Sequence, residues 1–208
     1  VYGEPKYVPI DENHNLDPSN FYGFTKLIIE ENLEWFCKLK NLHFASLRYF
    51  NAAGYDVKKR ISCLESNPQN LIPKVMETIY GSRKKINIYG NDYSTRDGTG
   101  VRDYVHVNDL AKAHLNSIDY VLKNKTSVVL NLGAEIGCTV LEVIKKVEEL
   151  SGQKVNYDFC DRRYGDPETM ISNASYAKKL IGWNPNFSDL NTIIKTTIRM
   201  YESSKFYS

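Results

Sequence analysis

The chain has no apolar run approaching the roughly 20 residues that a membrane-spanning helix needs. Its opening, Val1-Tyr2-Gly3-Glu4-Pro5-Lys6, is not a secretory signal. Neither sign of charge is in excess: Lys plus Arg number 27 and Asp plus Glu 25, a formal net charge of +2. That balance gives no electrostatic footprint for a nucleic acid. Small anions stay open, because they need a few local cations and not a global charge. Cysteine is scarce. Cys37, Cys63, Cys138 and Cys160 are far apart, with no C-x-x-C pair and no Cys/His spacing for zinc. They read as reduced thiols of a cytoplasmic protein, and no metal is expected. Internal repeats and low-complexity segments are missing. So is the G-x-G-x-x-G or G-x-x-G-x-x-G loop expected in the first turn of a dinucleotide-binding domain. Gly133-Ala134-Glu135-Ile136-Gly137 has only two glycines and reads as a turn. There is no initiating Met, and the start reads as the end of a strand, so the chain is expected to be a fragment.

What is present suits one or two small globular units: 208 residues, 42% of them hydrophobic. Residues 4–20, with Pro5, Pro9 and Pro18, read as a loop. A helix is predicted from Pro18-Ser19-Asn20 to about Leu39, with Ile28, Ile29, Leu33, Phe36 and Cys37 at helical period. His43 to Tyr49 reads as a buried strand, and 70–82 as a helix with Leu71, Ile72, Val75, Met76 and Ile79 on one side. Residues 85–105 alternate strand-like pieces with a Gly- and Asp-rich loop. Asp109 is the predicted N-cap of a helix running to about Lys123, and Val128 to Leu132 is a strand. Thr139 and Glu142 form a capping-box pattern for a helix with Val140, Val143, Ile144 and Val147 inward and Gly152 as its stop. A strand over 155–159 follows, then a helix capped by Ser175 and stopped at Gly182. A last helix from near Ser188 buries Leu190, Ile193, Ile194, Thr197, Ile198 and Tyr201. Interleaved strands and helices make the class α/β.

Three segments carry chemistry. In Tyr22-Gly23-Phe24-Thr25-Lys26 the Tyr and Lys share one helix face a turn apart. An ammonium beside a phenol favours the phenolate, which is how a Tyr becomes a general base. The spacing alone is common in helices and does not single out catalysis. The segment from Tyr89 to Val107, containing Gly90-Asn91-Asp92-Tyr93-Ser94-Thr95-Arg96-Asp97-Gly98-Thr99, reads as a surface hairpin. Its Arg102 offers a planar guanidinium to phosphate oxygens. Asp161-Arg162-Arg163-Tyr164-Gly165-Asp166, taken alone, is an ordinary solvated turn.

Order and spacing add to this. Val1-Tyr2-Gly3, Pro18-x-x-x-Tyr22-Gly23-x-x-Lys26 and Leu47-Arg48-Tyr49-Phe50-Asn51 together resemble the extended short-chain dehydrogenase/reductase family, whose members modify nucleotide sugars. The run G-N-D-Y-x-T-x-D-G-T-G-V-R-D-Y-x-H-V resembles the branch of that family that epimerises UDP-sugars at carbon 4. Related decarboxylases and dehydratases share the later R-D-[YF] but usually lack the D-Y-x-T-x-D-G-T insert. The resemblance covers essentially the whole chain. It implies a partial Rossmann-type parallel sheet plus a smaller α/β substrate-binding domain. Residues 1–55 would be the remainder of the NAD-binding part, 56–208 mainly the UDP-sugar part, and about 100–135 a return to the Rossmann part.

The implied activity is interconversion of UDP-galactose and UDP-glucose through transient oxidation at carbon 4, with NAD as cofactor. Tyr22 would take and return the 4-hydroxyl proton, and Lys26 would bind the nicotinamide ribose and tune Tyr22. Tyr49 and Phe50 would also adjoin the cofactor. On the substrate side the resemblance implies Asn51 near the sugar, Asn70 and Leu71 at a helix start by the diphosphate, and Asn87 and Tyr89 along the uracil. Arg102 and Arg163 would grip the diphosphate, Asp166 would accept from the ribose hydroxyls, and Met170 would limit which sugars fit. UDP-N-acetylglucosamine or a UDP-pentose stays open as substrate, as does a non-catalytic sugar-nucleotide-binding role. A homodimer is implied, with neither nucleic acid nor membrane as partner. The family's catalytic Ser or Thr, its glycine loop and its adenosine-ribose carboxylate are not in this sequence, so the chain alone is expected to bind NAD poorly and to be inactive. His106 is expected to be structural, Asp109 a cap and Trp183 core.

Overall fold

The computed structural model describes residues 1–61 and 63–204. An extended segment leads into α1 (Phe21–Lys40), which starts where the Asn20 side chain accepts from the Gly23 N–H at 2.8 Å. The chain continues through β1 (Ala45–Tyr49), β2 (Asn51–Ala53), α2 (Leu71–Ile79), β3 (Ile86–Tyr89) and β4 (Val101–His106). Next come α3 (Val107–Asn124), β5 (Val128–Leu132), β6 (Gly137–Thr139), α4 (Val140–Ser151) and β7 (Tyr157–Cys160). β8 (Thr169–Met170), α5 (Ser175–Ile181) and α6 (Leu190–Ser204) complete it. The mixture is α/β, as the interleaved pattern predicts.

Strands pair in three sets. β1 lies parallel to β5, with Leu47 opposite Leu130. β4 is parallel to β2 and β8 and antiparallel to β6. β3 is parallel to β7. Two apolar cores follow. One gathers α2, α4 and α6 under β3 and β4 around Val75, Met76, Tyr104, Val143 and Ile193. The other packs α3 and α5 on β5 around Val105, Leu130, Ala177 and Trp183. Side chains alternate along a strand, so β4 contributes Tyr104 to the first core and Val105 to the second.

Several local signals act as read. The Thr139–Glu142 capping box is complete, and Gly152 and Gly182 end their helices in the left-handed region. Others are corrected. α3 starts at Val107, and its N-cap is His106, whose ring accepts from the Asn108 N–H. Asp109 is instead buried in the first turn, accepting from Asn186 N, Phe187 N and Ser188 Oγ. Ser175 is the first residue of α5 and not its cap; the Asn173 side chain accepts the Ser175 N–H. Nor is β1 a buried strand: it is half-buried, with Tyr49 exposed. In α1 only Gly23 is buried, and Ile28, Ile29 and Phe36 stay exposed despite their period.

Candidate functional site

Two cavities, of about 560 and 760 Å³, meet along a common wall of Tyr22, Tyr49, Phe50, Asn51, Arg102 and Asp166. Lys26 and Met170 line the first alone; Asn70, Leu71, Asn87, Tyr89 and Arg163 line the second alone. Every site residue expected from sequence therefore faces this cleft. Tyr22 shares its wall with Arg102.

Each is delivered by a different element. The first two turns of α1 present Tyr22 and Lys26. They are one turn apart, and the Lys26 ammonium lies 5.1 Å from the centre of the Tyr22 ring. Both are exposed, Tyr22 at 72%. The C-terminal end of β1, the usual ligand end of a parallel strand, hands over Tyr49, Phe50 and Asn51. Asn51 Nδ2 donates to the Asp103 carbonyl at 3.1 Å, which fixes it against β4. Asn70 caps α2 by its backbone geometry without a side-chain cap bond, and this helix start lines the second cavity.

The cations occupy the middle. Arg102 donates to the Val101 carbonyl at 2.8 Å and ion-pairs with Asp166. Arg163 lies 3.7 Å from the centre of the Tyr89 ring. Its hydrogen bond to the phenol, with Asn87 adding a second, holds Tyr89 below its ordinary value. Beneath Arg102, Asp103 is wholly buried. Burial pushes its carboxyl up, against hydrogen bonds from Ser172, Ala134 and Glu135 that pull it down.

One network was not visible in the sequence reading. Arg48, on β1, pairs with Glu30 of α1 and donates to the Tyr2 hydroxyl at 3.0 Å; Tyr2 in turn donates to Asn131 at 2.6 Å. Burial pushes the Glu30 carboxyl up, but hydrogen bonds from Arg48 and Ser46 outweigh it and hold the group low. Tyr2, Glu30, Ser46 and Arg48 wall the first cavity. The available signal was an Arg set between Leu47 and Tyr49 in a strand, which demands a partner. His106 is structural, its ring bonded to Asn108 N and Thr196 Oγ1. Trp183 is core, with Nε1 on the Gly133 carbonyl at 2.9 Å. All four cysteines are free, and no helix among the described residues is long and apolar enough to cross a membrane.

Comparison with known proteins gives consistent matches. The family described as GDP-mannose 4,6 dehydratase matches residues 1–197. A UDP-glucose 4-epimerase of Rhizobium leguminosarum bv. trifolii is 42% identical over 196 residues, 94% of this chain and 60% of that protein. The UDP-glucose 4-epimerase structure from Stenotrophomonas maltophila, with bound NAD and formylated UDP-arabinopyranose, superposes with a TM-score of 0.94 at 34% identity, covering 100% of this chain and 62% of that one. The Bifidobacterium longum enzyme in complex with NAD+ and UDP superposes at 0.89 with 36% identity, covering 98% and 61%. The chain thus spans about three fifths of the length of the relatives it matches.

Proposed function

We propose, since the chain belongs to the family described as GDP-mannose 4,6 dehydratase, that the whole protein is a UDP-sugar 4-epimerase that interconverts UDP-galactose and UDP-glucose. The observation that carries this reading is the shared wall: a Tyr–Lys pair and two guanidinium-bearing elements converge on adjoining cavities. One cavity would take the reacting sugar and nicotinamide end, the other the uridine diphosphate.

In this reading Arg102, Arg163 and the α2 start at Asn70 hold the diphosphate, and Asp166 accepts from the ribose. The binding energy is spent on the part of the substrate that does not react. Tyr89 and Asn87 line the place of the base. Tyr22 removes the proton of the sugar 4-hydroxyl and returns it after the sugar turns over, and Lys26 supports the phenolate. The side chains around the first cavity suit a nicotinamide ribose: Lys26 offers ammonium protons, and Tyr22, Tyr49 and Phe50 offer ring surfaces. NAD, when bound, would accept and return the hydride of carbon 4. Residues 1–55 and about 100–135 would form the cofactor side and the remainder the UDP-sugar side. A homodimer is also part of the proposal, supported by the exposed Trp35, Phe36 and Leu39 of α1.

The test is turnover of UDP-galactose, UDP-N-acetylglucosamine and a UDP-pentose by the whole protein, each assayed with and without Tyr22→Phe. Epimerisation of the hexose, lost in the variant, supports the proposal. Preference for another of the three moves the substrate assignment. UDP binding with no turnover of any would leave a sugar-nucleotide-binding protein instead.

A further inference from the structure

The loop that carries Arg163 and Asp166 has no core of its own. Asp161, Arg162, Arg163 and Tyr164 are exposed, and no residue from 161 to 170 is buried. Something outside it must set its posture. Residues 90–100 after β3 are a loop and not the hairpin expected from sequence, because β3 pairs with β7 whereas β4 pairs with β2, β6 and β8; this loop lies along the whole length of the 160–168 segment. Gly90 N donates to the Cys160 carbonyl at 2.8 Å. Arg162 Nε and Nη2 donate to the carboxylate and carbonyl of Asp92 at 2.7 and 2.6 Å. The same guanidinium lies 4.1 Å from the centre of the Tyr93 ring. Further on, Ser94 N donates to the Glu168 carboxylate at 2.9 Å. Gly90, at φ +83, has no side chain because a Cβ there would strike the Tyr93 ring.

The 90–99 loop is itself anchored. Tyr93 is buried, and its N–H reaches the Gly98 carbonyl at 3.0 Å. Asp97 accepts from Thr99 and from Thr139, the cap of α4, and Arg96 pairs with Glu142 of the same helix. Arg162 lines neither cavity, whereas its neighbour Arg163 does.

We infer that the loop over residues 90–99 is a clasp that orients the 160–168 loop so that Arg163 and Asp166 face the cleft, with Asp92 and Arg162 as positioning residues for the uridine diphosphate. The inference rests on the UDP-sugar reading above. It separates cleanly from a plain charge effect. Removing the Asp92 carboxylate makes the region more positive, which by Coulomb attraction alone would tighten an anionic ligand. Loosening the clasp weakens it.

In the whole protein, Asp92→Asn is expected to raise the Kd for UDP, read by calorimetry, and the KM for UDP-galactose about fivefold, with kcat within about twofold. Arg162→Ala, which loses both the ion pair and the ring stack, should raise both about tenfold. Arg162→Lys keeps the charge but not the planar stack and should fall between. Thermal midpoints identify any variant that fails to fold; the exposed Arg162→Lys then carries the test. UDP affinity that is unchanged or tighter in Asp92→Asn, with the unsubstituted protein binding UDP normally, overturns the clasp alone. An unsubstituted protein that neither binds UDP nor turns over a UDP-sugar overturns the functional reading and the clasp together.

Discussion

Arg102 and Asp166 are paired with each other across the cleft, one from β4 and the other from the loop before β8. Both are proposed ligands of one uridine diphosphate, for different parts of it. The acceptor proposed for the ribose hydroxyls therefore neutralises the cation proposed for the phosphates. Asp166→Asn should then act in opposite directions on two ligands. UDP, which loses its ribose acceptor, should bind about tenfold more weakly. Inorganic diphosphate, offered a released Arg102, should bind about threefold more tightly. Calorimetry on both decides it; weakening of both by the same factor would show that the pair does not compete with ligand.

The Tyr22–Lys26 geometry gives a second expectation. Tyr22→Phe keeps the ring beside the ammonium and removes only the proton carrier. In the whole protein kcat should fall by about 10²- to 10⁴-fold, with UDP affinity within about twofold. A variant that keeps most of its kcat would require another acid–base group.

Local signals were legible in the sequence where they are complete within one turn. The Tyr22–Lys26 spacing, the Thr139–Glu142 box and the glycine stops at 152 and 182 need nothing distant. The cap of α3 was not legible, because His106 and Asp109 can both serve and the choice is tertiary. Asn186, Phe187 and Ser188 draw the Asp109 carboxylate away from its own helix start. The exposure of α1 was also invisible, since helical period shows which residues share a face but not whether anything covers it. The Arg162–Asp92 contact joins residues 70 positions apart, and a solvated-turn composition hid it. The set of residues that lines the cleft was legible through the resemblance of ordered motifs and not through any one of them.

His106 makes folding stability depend on pH. Burial pushes its imidazole below the ordinary value, and Arg199 acts in the same sense; Asp109, Asp189 and Asp56 oppose them. The folded state thus refuses a proton that the unfolded chain accepts near pH 6.5. Its contribution is intact above that pH and is lost as pH falls below it. Urea unfolding free energies should decline between pH 7.5 and 5.5, and less steeply in His106→Gln. Parallel declines would assign the effect elsewhere.

Gly133 tests close packing beside the cleft. A Cβ there would run into Ser172 Oγ and Asp103 Oδ2, displacing a buried carboxylate from its donors. Gly133→Ala should cost about 3 kcal/mol in urea unfolding. Gly152→Ala, with open space around it but φ +69, should cost about 1 kcal/mol. Equal costs would mean that Ser172 and Asp103 give way around the new methyl, since Gly133 lies outside the left-handed region and carries no such strain.

β4 gives one side chain to each apolar core and bears Arg102 two residues before Tyr104. Opening the amides of that strand disturbs both halves of the interior, so slow amide exchange is expected there. The Arg102 guanidinium is thus mounted on a backbone held by both cores. Any ligand that it grips is thereby coupled to global unfolding and not to local fraying.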